Sequence, residues 1–492
     1  MIGNRSNGET DAVVVGAGPN GLAAALVLAG AGLRVEVHEA ADTVGGGART
    51  AATTLPGFRH DVCSVAHPMA LASPFFRAFG LARRVELLQP EIAYAQPLDG
   101  APAGLAWRDL DRTADGLGRD GAAWRAVFGP LVERWQGLVA AVLSDQRRVP
   151  ADPLTALRLL LRTAEFGSPA RGARLRGERA RALFAGVAAH AVRPPRELAP
   201  AGAGLLLGTL AHAVGWPVPR GGSQSVVDAM AEELTRRGAR IVTGHPIGSL
   251  EDLPLARAVL LDTSPTGLLR IAGRRLPDRH ARRLRGYRYG SGACKVDFAL
   301  AGPVPWRDPD CALAGTLHLS GTREQTVAAE REIAAGRHAE RPFVLAVQPG
   351  VVDDTRAPAG QHTLYSYAHV PHGSTVDAGE AVTAQIERFA PGFRDLVLAR
   401  RATTAADLAA YNANYVGGDI GAGAMTLRQT VLRPVPALDP YATGVPGLFL
   451  CSAATPPGPG VHGMAGLHAA ARALRTVFGD PTDPLALVAA PR

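Results

Sequence analysis

Lysine is nearly missing from this 492-residue chain: of its 52 basic side chains, Lys295 is the one lysine and the rest are arginine. The net charge of +8 is therefore an arginine surplus, dense at Arg171, Arg174, Arg176, Arg179 and Arg181 and again from Arg270 to Arg288. Aromatic residues are only 5% of the chain, Tyr287 is the one that falls within these runs, and no nucleic-acid-binding motif accompanies them, which argues against a nucleic-acid partner. The runs read as solvated helix faces, with an anionic membrane surface or an acidic substrate or partner as the alternatives. Cysteine is scarce as well. Cys63, Cys294, Cys311 and Cys451 stand alone without a C-x-x-C, so neither a redox disulfide nor a zinc site is expected, and four scattered thiols suit a reducing compartment. No apolar run is long enough to span a bilayer. The most apolar stretch, near the N-terminus, is interrupted by Gly16, Pro19, Asn20 and Gly21, and removing it as a signal peptide would delete the nucleotide site it encodes. The expectation is a cytoplasmic protein, with peripheral membrane contact left open.

What is present is concentrated in residues 11–50, DAVVVGAGPNGLAAALVLAGAGLRVEVHEAADTVGGGART. The apolar run Ala12 to Val15 suits a buried parallel strand and leads into Gly16, Gly18 and Gly21 in G-x-G-x-x-G spacing. Gly16 allows a tight turn, Gly18 lets backbone approach a pyrophosphate, and Gly21 lets the following helix pack on the strand. The helix N-terminus then supplies free N–H groups and positive dipole to the anion. A helix from Gly21 to Ala31, a second strand from Arg34 to His38, and Glu39 at its end complete the unit, and an acid there accepts both ribose hydroxyls. A lone glycine triad is weak evidence. With strand, helix, second strand and acid in order, it specifies a dinucleotide.

Gly45, Gly46 and Gly47 followed by Arg49 and Thr50 resemble the R-x-G-G-R-x-x-T element with which amine oxidases and phytoene desaturases hold a flavin diphosphate, which makes the dinucleotide FAD rather than NAD. The first arginine of that element is absent, Thr43 and Val44 filling its neighbourhood. Near the other end, GLFLCSAATPPGPGVHGMAGLHAAARAL reads as a strand, Leu448 to Cys451, a glycine-proline turn and a helix from Met464 to Leu474. Gly458, Gly460 and Gly463 also satisfy the triad, but no second strand with a terminal acid follows, so a separate NADPH site is not expected. That helix N-terminus instead suits the flavin ribityl and pyrimidine end, where negative charge develops on reduction.

Together with PRGGSQS, NANYVGGDIGAG and YATGVPGLFLCSAATPPGPGVHGMAG, these segments resemble the phytoene desaturase and carotenoid isomerase-related flavoproteins of the amine-oxidase-like superfamily, and within them the phytoene dehydrogenase-related branch. The resemblance runs the whole length. It implies an α/β fold in which a Rossmann-type FAD-binding domain of the glutathione-reductase type (1–73, 215–265 and 440–492) is interleaved with an α+β substrate-binding domain (74–214 and 266–439). By position it carries FAD contacts to Gly16, Gly18, Gly21, Glu39, Gly46, Gly47, Arg49, Val242, Gly463 and Met464. Ser452-Ala453 stands where the family usually has Gly-Ala or Gly-Asp.

Composition agrees with such an enzyme, since 47% hydrophobic and 20% charged residues suffice for a sizeable core. From Pro74 to Ala213 the text reads as largely helical; a helix from Ser225 to Arg237 and strands Ala239 to Thr243 and Ala258 to Asp262 follow. With non-covalent FAD performing the redox step, the protein needs to orient substrate, exclude water and tune the flavin. Lys295 falls where amine oxidases place a lysine that holds water against flavin N5, and is either that residue or a structural lysine paired with Asp297. His462 stands nearest the expected flavin. His67, His318, His369 and His372 are softer candidates, each more economically read as a packed or hydrogen-bonded histidine. No metal site is expected. The leading reading is a dehydrogenase or desaturase that forms C=C or C=N in a hydrophobic or amphipathic small molecule, with oxygen or a quinone as electron acceptor. The alternatives are an amine or amino-acid oxidase, weakened because Gly463 replaces the aromatic of the amine cage, and a flavin-dependent isomerase without net redox.

Overall fold

The computed structural model describes residues 10–145, 147, 149–168 and 174–489, so Arg171 lies outside the described residues. Two sheets organise the chain. The first has five strands in the order Leu448–Leu450, Ala258–Leu261, Ala12–Val15, Val35–His38 and Arg240–Val242, every pair parallel. Its strands are short and Val/Leu-rich because helices cover both faces, as parallel sheets require. Ala12 and Val14 face the helix Pro19–Gly30, the helix Gln224–Arg236 and the C-terminal helix Met464–Ala473, whereas Val13 and Val15 face the helices Pro265–Ala272 and Asp278–Arg285. Arg270, Arg279, Arg282 and Arg285 of the last two helices are exposed while Leu268, Ala281 and Leu284 are buried, the solvated faces expected from the charge run.

The second sheet has seven strands in the order Val397–Thr403, Gly292–Leu300, His362–Val370, Val344–Val347, Ala314–Leu319, Ile92–Leu98 and Ala101–Trp107. It is antiparallel except where Ala314–Leu319 runs parallel to Ile92–Leu98. Strand alternation splits it into two faces. Val296, Phe298 and Leu300 pack under the helix Gly379–Phe389, and Ala293, Lys295 and Asp297 share the opposite face with Tyr365 and Tyr367. Against that opposite face lies a group of helices that includes Gly121–Val132, Pro153–Phe166, Glu178–Ala188 and Leu198–Ala213.

The hairpin Ile92–Trp107 interrupts residues 74–213, which are otherwise the largely helical stretch expected. Its strands are rich in alanine, a poor strand former, and burial rather than propensity holds them in the sheet. Asp99-Gly100, with Gly100 at φ +65, is the tight-turn signal that gives the hairpin away.

Candidate functional site

The first turn is built by contact with one residue, Asp262, at the end of the neighbouring strand. Gly16 has φ +100, and a Cβ there would stand 2.9 Å from the Asp262 carbonyl oxygen; one on Gly18 would stand 3.0 Å from Asp262 Oδ2. A Cβ on Gly21 would fall 1.9 Å from the Gly16 carbonyl oxygen, so only glycine lets the helix start this close to its strand. Pro19 opens the helix without a donor to lose, the Gly21 N–H donates to Asp262 Oδ2 at 2.8 Å, and Asn20 Oδ1 is buried without a partner. Burial pushes the Asp262 carboxyl up to about 7, the Gly21 N–H opposing this and the charge of Glu39 adding to it.

Glu39 locks the acid position to the same turn. Its Oε2 accepts from the Ala17 N–H at 2.8 Å, and its Oε1 from the Ala41 N–H and Arg49 Nη2, both at 3.0 Å. A carboxylate has roughly four acceptor sites, so about one remains open on Glu39. Its own N–H donates to the Val242 carbonyl, which puts Val242 beside the acid. The second glycine cluster docks on the first: the Gly45 N–H donates to the Ala17 carbonyl, and a Cβ on Gly46 would come 3.1 Å from Gly18 Cα. Gly47 faces the Tyr415 hydroxyl, 2.3 Å from where its Cβ would be. Arg49, expected on a diphosphate, donates to Glu39, to the Thr43 carbonyl and to the Tyr411 hydroxyl. It holds the acid in place.

At the far end, Gly458, Gly460 and Gly463 all have positive φ and wind the turn into the helix Met464–Ala473. His462 fastens that turn. Its Nδ1 accepts from the Met464 N–H at 3.0 Å, its Nε2 donates to the Gly458 carbonyl at 3.0 Å, and burial holds its imidazole at about 4. Both ring nitrogens are engaged by backbone, which withdraws His462 from the candidates for proton transfer. A Cβ on Gly463 would meet Phe75 Cδ1 at 2.5 Å, so no aromatic side chain fits there. Ser452 Oγ accepts from the Ala454 N–H and caps its own turn.

A cavity of about 590 Å³ abuts this assembly. Its wall takes Cys63 to Met69 from the segment after the second glycine cluster, Gly460 and Val461 from the C-terminal turn, Tyr365 and Tyr367 from the large sheet, and Leu159, Leu206 and Leu207 from the helices. Lys295 is 4% exposed, ion-paired with Asp297, and its Nζ lies 4.9 Å from the centre of the Tyr365 ring. Asp297 also accepts from the Thr53 hydroxyl at 2.7 Å and stands 3.5 Å from His60 Nδ1. His67 is on the wall, but its Nε2 is bonded to the Ser223 hydroxyl and burial lowers its imidazole to about 4. His318 and His369 are buried behind the wall, His369 on Glu330 at 2.6 Å, and His372 is exposed and bonded to the Gly290 carbonyl.

Three residues with no motif around them belong to this region and escaped the sequence reading. They are Asp262; His190, which lines the cavity; and Arg356, buried between Asp61 (2.8 Å) and Asp353 (2.6 Å), where it ties the large sheet's loop to the segment before Cys63. Only Asp262 had a usable signal, as the polar end of an apolar strand facing the glycine triad.

Residues 20–474 match the family model described as flavin containing amine oxidoreductase. Among curated proteins, the chain is 30% identical over 295 residues to pyridine nucleotide-disulfide oxidoreductase domain-containing protein 2 of Rattus norvegicus, a match covering 52% of this chain and 50% of that relative, so the chain spans about half its length. It is 29% identical over 436 residues to phytoene dehydrogenase of Streptomyces griseus, covering 79% of this chain and 77% of the relative. Among solved structures, a putrescine oxidase superposes with a TM-score of 0.60 at 18% identity over 95% of this chain and 99% of that one, a likeness of fold.

Proposed function

The chain belongs to the flavin containing amine oxidoreductase family, an FAD-dependent oxidoreductase of α/β fold, and from that premise we propose that it dehydrogenates a largely apolar small molecule, FAD when bound accepting hydride from a substrate C–H at N5. The observation that carries this reading is the cavity, about 590 Å³ and mostly apolar, whose wall is shared by Cys63 to Met69, the segment after the second glycine cluster, and by Gly460 and Val461 of the C-terminal glycine turn. The residues present fit FAD. Gly16, Gly18 and Gly46 leave backbone bare where any Cβ would intrude, Gly21 and Pro19 open a helix toward the same spot, and Glu39 keeps one acceptor site for a ribose hydroxyl. Gly47, Arg49, Val242, Gly463 and Met464 complete the contact set, Arg49 by fixing Glu39.

Segments 1–73, 215–285 and 435–492 act as the FAD-binding domain in this proposal. Its middle segment runs past 265, because the helices through Arg285 pack on the five-stranded sheet, and its last starts before 440, because Val435 does too. Segments 74–214 and 286–434 form the substrate domain. It surrounds the substrate with apolar side chains, excluding water and orienting the reacting C–H. Lys295, one ring behind the wall and held by Asp297, is the group through which oxygen reduction is assisted. Phe75 at Gly463 speaks against an amine cage and favours C–C over C–N dehydrogenation.

The test is the visible spectrum of the purified protein, followed by anaerobic titration with apolar compounds bearing an activated C–H. Bleaching with one of them identifies the substrate class, whereas a return to oxidised flavin without an acceptor would mark an isomerase. Lys295→Met slows reoxidation by oxygen about tenfold or more while leaving anaerobic bleaching within a few-fold; an unchanged oxygen rate makes Lys295 a structural partner of Asp297.

A further inference from the structure

Most polar atoms on the cavity wall already have protein partners. The Tyr365 hydroxyl donates to the Cys63 carbonyl, Thr316 Oγ1 accepts from Trp216 Nε1, and His67 Nε2 is bonded to Ser223. Asp419 accepts three backbone N–H groups, from Gly290, Gly421 and Gly423, and no lysine or arginine lines the cavity among the described residues. An ionic substrate therefore finds no free counter-charge there.

His67 Nδ1 and Thr430 Oγ1 are buried without a partner among the described residues, and the residue that stands apart from them is His190. It lies on the wall, its Nε2 sits 2.9 Å from His318 Nε2, its ring stands edge-on to Trp216, and its Nδ1 has no protein partner among the described residues. Its proton position follows from what lies behind it. His318 is fully buried and its Nδ1 is unpartnered. A buried N–H without an acceptor costs more than a bare lone pair, so we assign the single His318 proton to Nε2, where it is donated to His190 Nε2. The remaining proton of His190 is then on Nδ1. Burial lowers both imidazoles, His190 to about 3 and His318 well below its ordinary value, and keeps both rings neutral. The Tyr367 hydroxyl on the wall also has no partner among the described residues, but a hydroxyl rotates to donate or accept and does not discriminate. His190 does.

We propose that His190, its tautomer fixed by His318, presents an Nδ1–H donor to the cavity and selects apolar molecules that carry one neutral oxygen acceptor, a ketone or similar group, over plain hydrocarbons. This rests on the reading of the cavity as the substrate site. His190 is a specificity-determining residue here, with no assigned part in breaking the C–H bond.

The test uses the FAD-loaded full chain and two probes, octan-2-one and octane, with dissociation constants read from the perturbation of bound-flavin absorbance and of tryptophan fluorescence. The ratio of octane to octan-2-one dissociation constants falls about five- to tenfold in His190→Phe and is restored in His190→Gln, which keeps a donor. His318→Phe, which frees the tautomer, gives an intermediate ratio, and flavin content shows that each variant is folded. A ratio unchanged in His190→Phe overturns this proposal and leaves the cavity as an apolar substrate site. Failure of both probes to bind the wild-type protein overturns the proposal and the cavity reading together.

Discussion

The two sheets build their sites by opposite means. Around the five-stranded sheet the working parts are largely backbone: glycines at 16, 21 and 46 strip away Cβ atoms so that main chain meets main chain, those at 18 and 45 make room for the side chains of Asp262, Arg49 and Val227, and the side chains that matter, Glu39 and Asp262, are bonded to main-chain N–H groups. Around the seven-stranded sheet the working parts are side chains delivered from remote segments, such as His190 against His318, Lys295 with Asp297 and His60, and Arg356 between Asp61 and Asp353. A site made of backbone tolerates no added atom but is indifferent to its neighbours' identity. One made of side chains can be redrawn residue by residue. That division lets one cofactor scaffold serve many substrates.

The sharpest way to break the comparison is at Gly21. Gly21→Ala places a methyl 1.9 Å from the Gly16 carbonyl and should purify without flavin, its FAD affinity lowered at least 100-fold, as read by flavin released on heating. Retained flavin would mean that the backbone site yields like a side-chain one. On the other sheet, Arg356→Met leaves Asp61 and Asp353 as buried, uncompensated carboxylates and should cost about 3–5 kcal/mol in urea unfolding. Flavin contacts should be spared in whatever fraction remains folded. The smallest effect sharpens the comparison at Asp262. Its carboxyl is raised to about 7 by burial, so the unfolded chain releases that proton first and the folded state loses stability as pH rises from about 4 to 7. Asp262→Asn, which keeps an acceptor for the Gly21 N–H, should therefore be stabilised at pH 8, by at most about 4 kcal/mol, and by nothing near pH 3, a difference that thermal melts across pH resolve.

Legibility followed the same line. Gly16, Gly18, Gly21 and Glu39 were readable because a turn that must approach an anion admits few sequences, and the spacing is local. The helix Pro19–Gly30 and the strands Val35–His38, Ala258–Leu261 and Leu448–Leu450 lie within a residue or two of where apolar runs and glycines place them. What could not be read depends on pairing across distance. The Ile92–Trp107 hairpin is alanine-rich and looks helical until it is buried in a sheet; the His190–His318 contact joins residues with no shared motif; and His462, the histidine beside the most conspicuous glycine turn, is engaged in making that turn. Arg49 shows the limit of a partial motif. It stands at its place in the element, but in the structure it holds Glu39 and the Thr43 carbonyl.

A Cβ added to Gly466 would lie 1.9 Å from the Asn20 carbonyl, so the C-terminal helix rests directly on the backbone of the first one, and the central strand Ala12–Val15 has its second neighbour at Ala258 and the next at Leu448. During synthesis the strand Ala12–Val15 and its glycine turn emerge well before Ala258–Leu261 and Leu448–Leu450, and wait with an open sheet edge until those strands follow. High contact order of this kind makes closure of the nucleotide fold a late event and exposes an apolar edge in the interval. Closure of the nucleotide fold thereby waits on the strand Leu448–Leu450, the last of the five to be made.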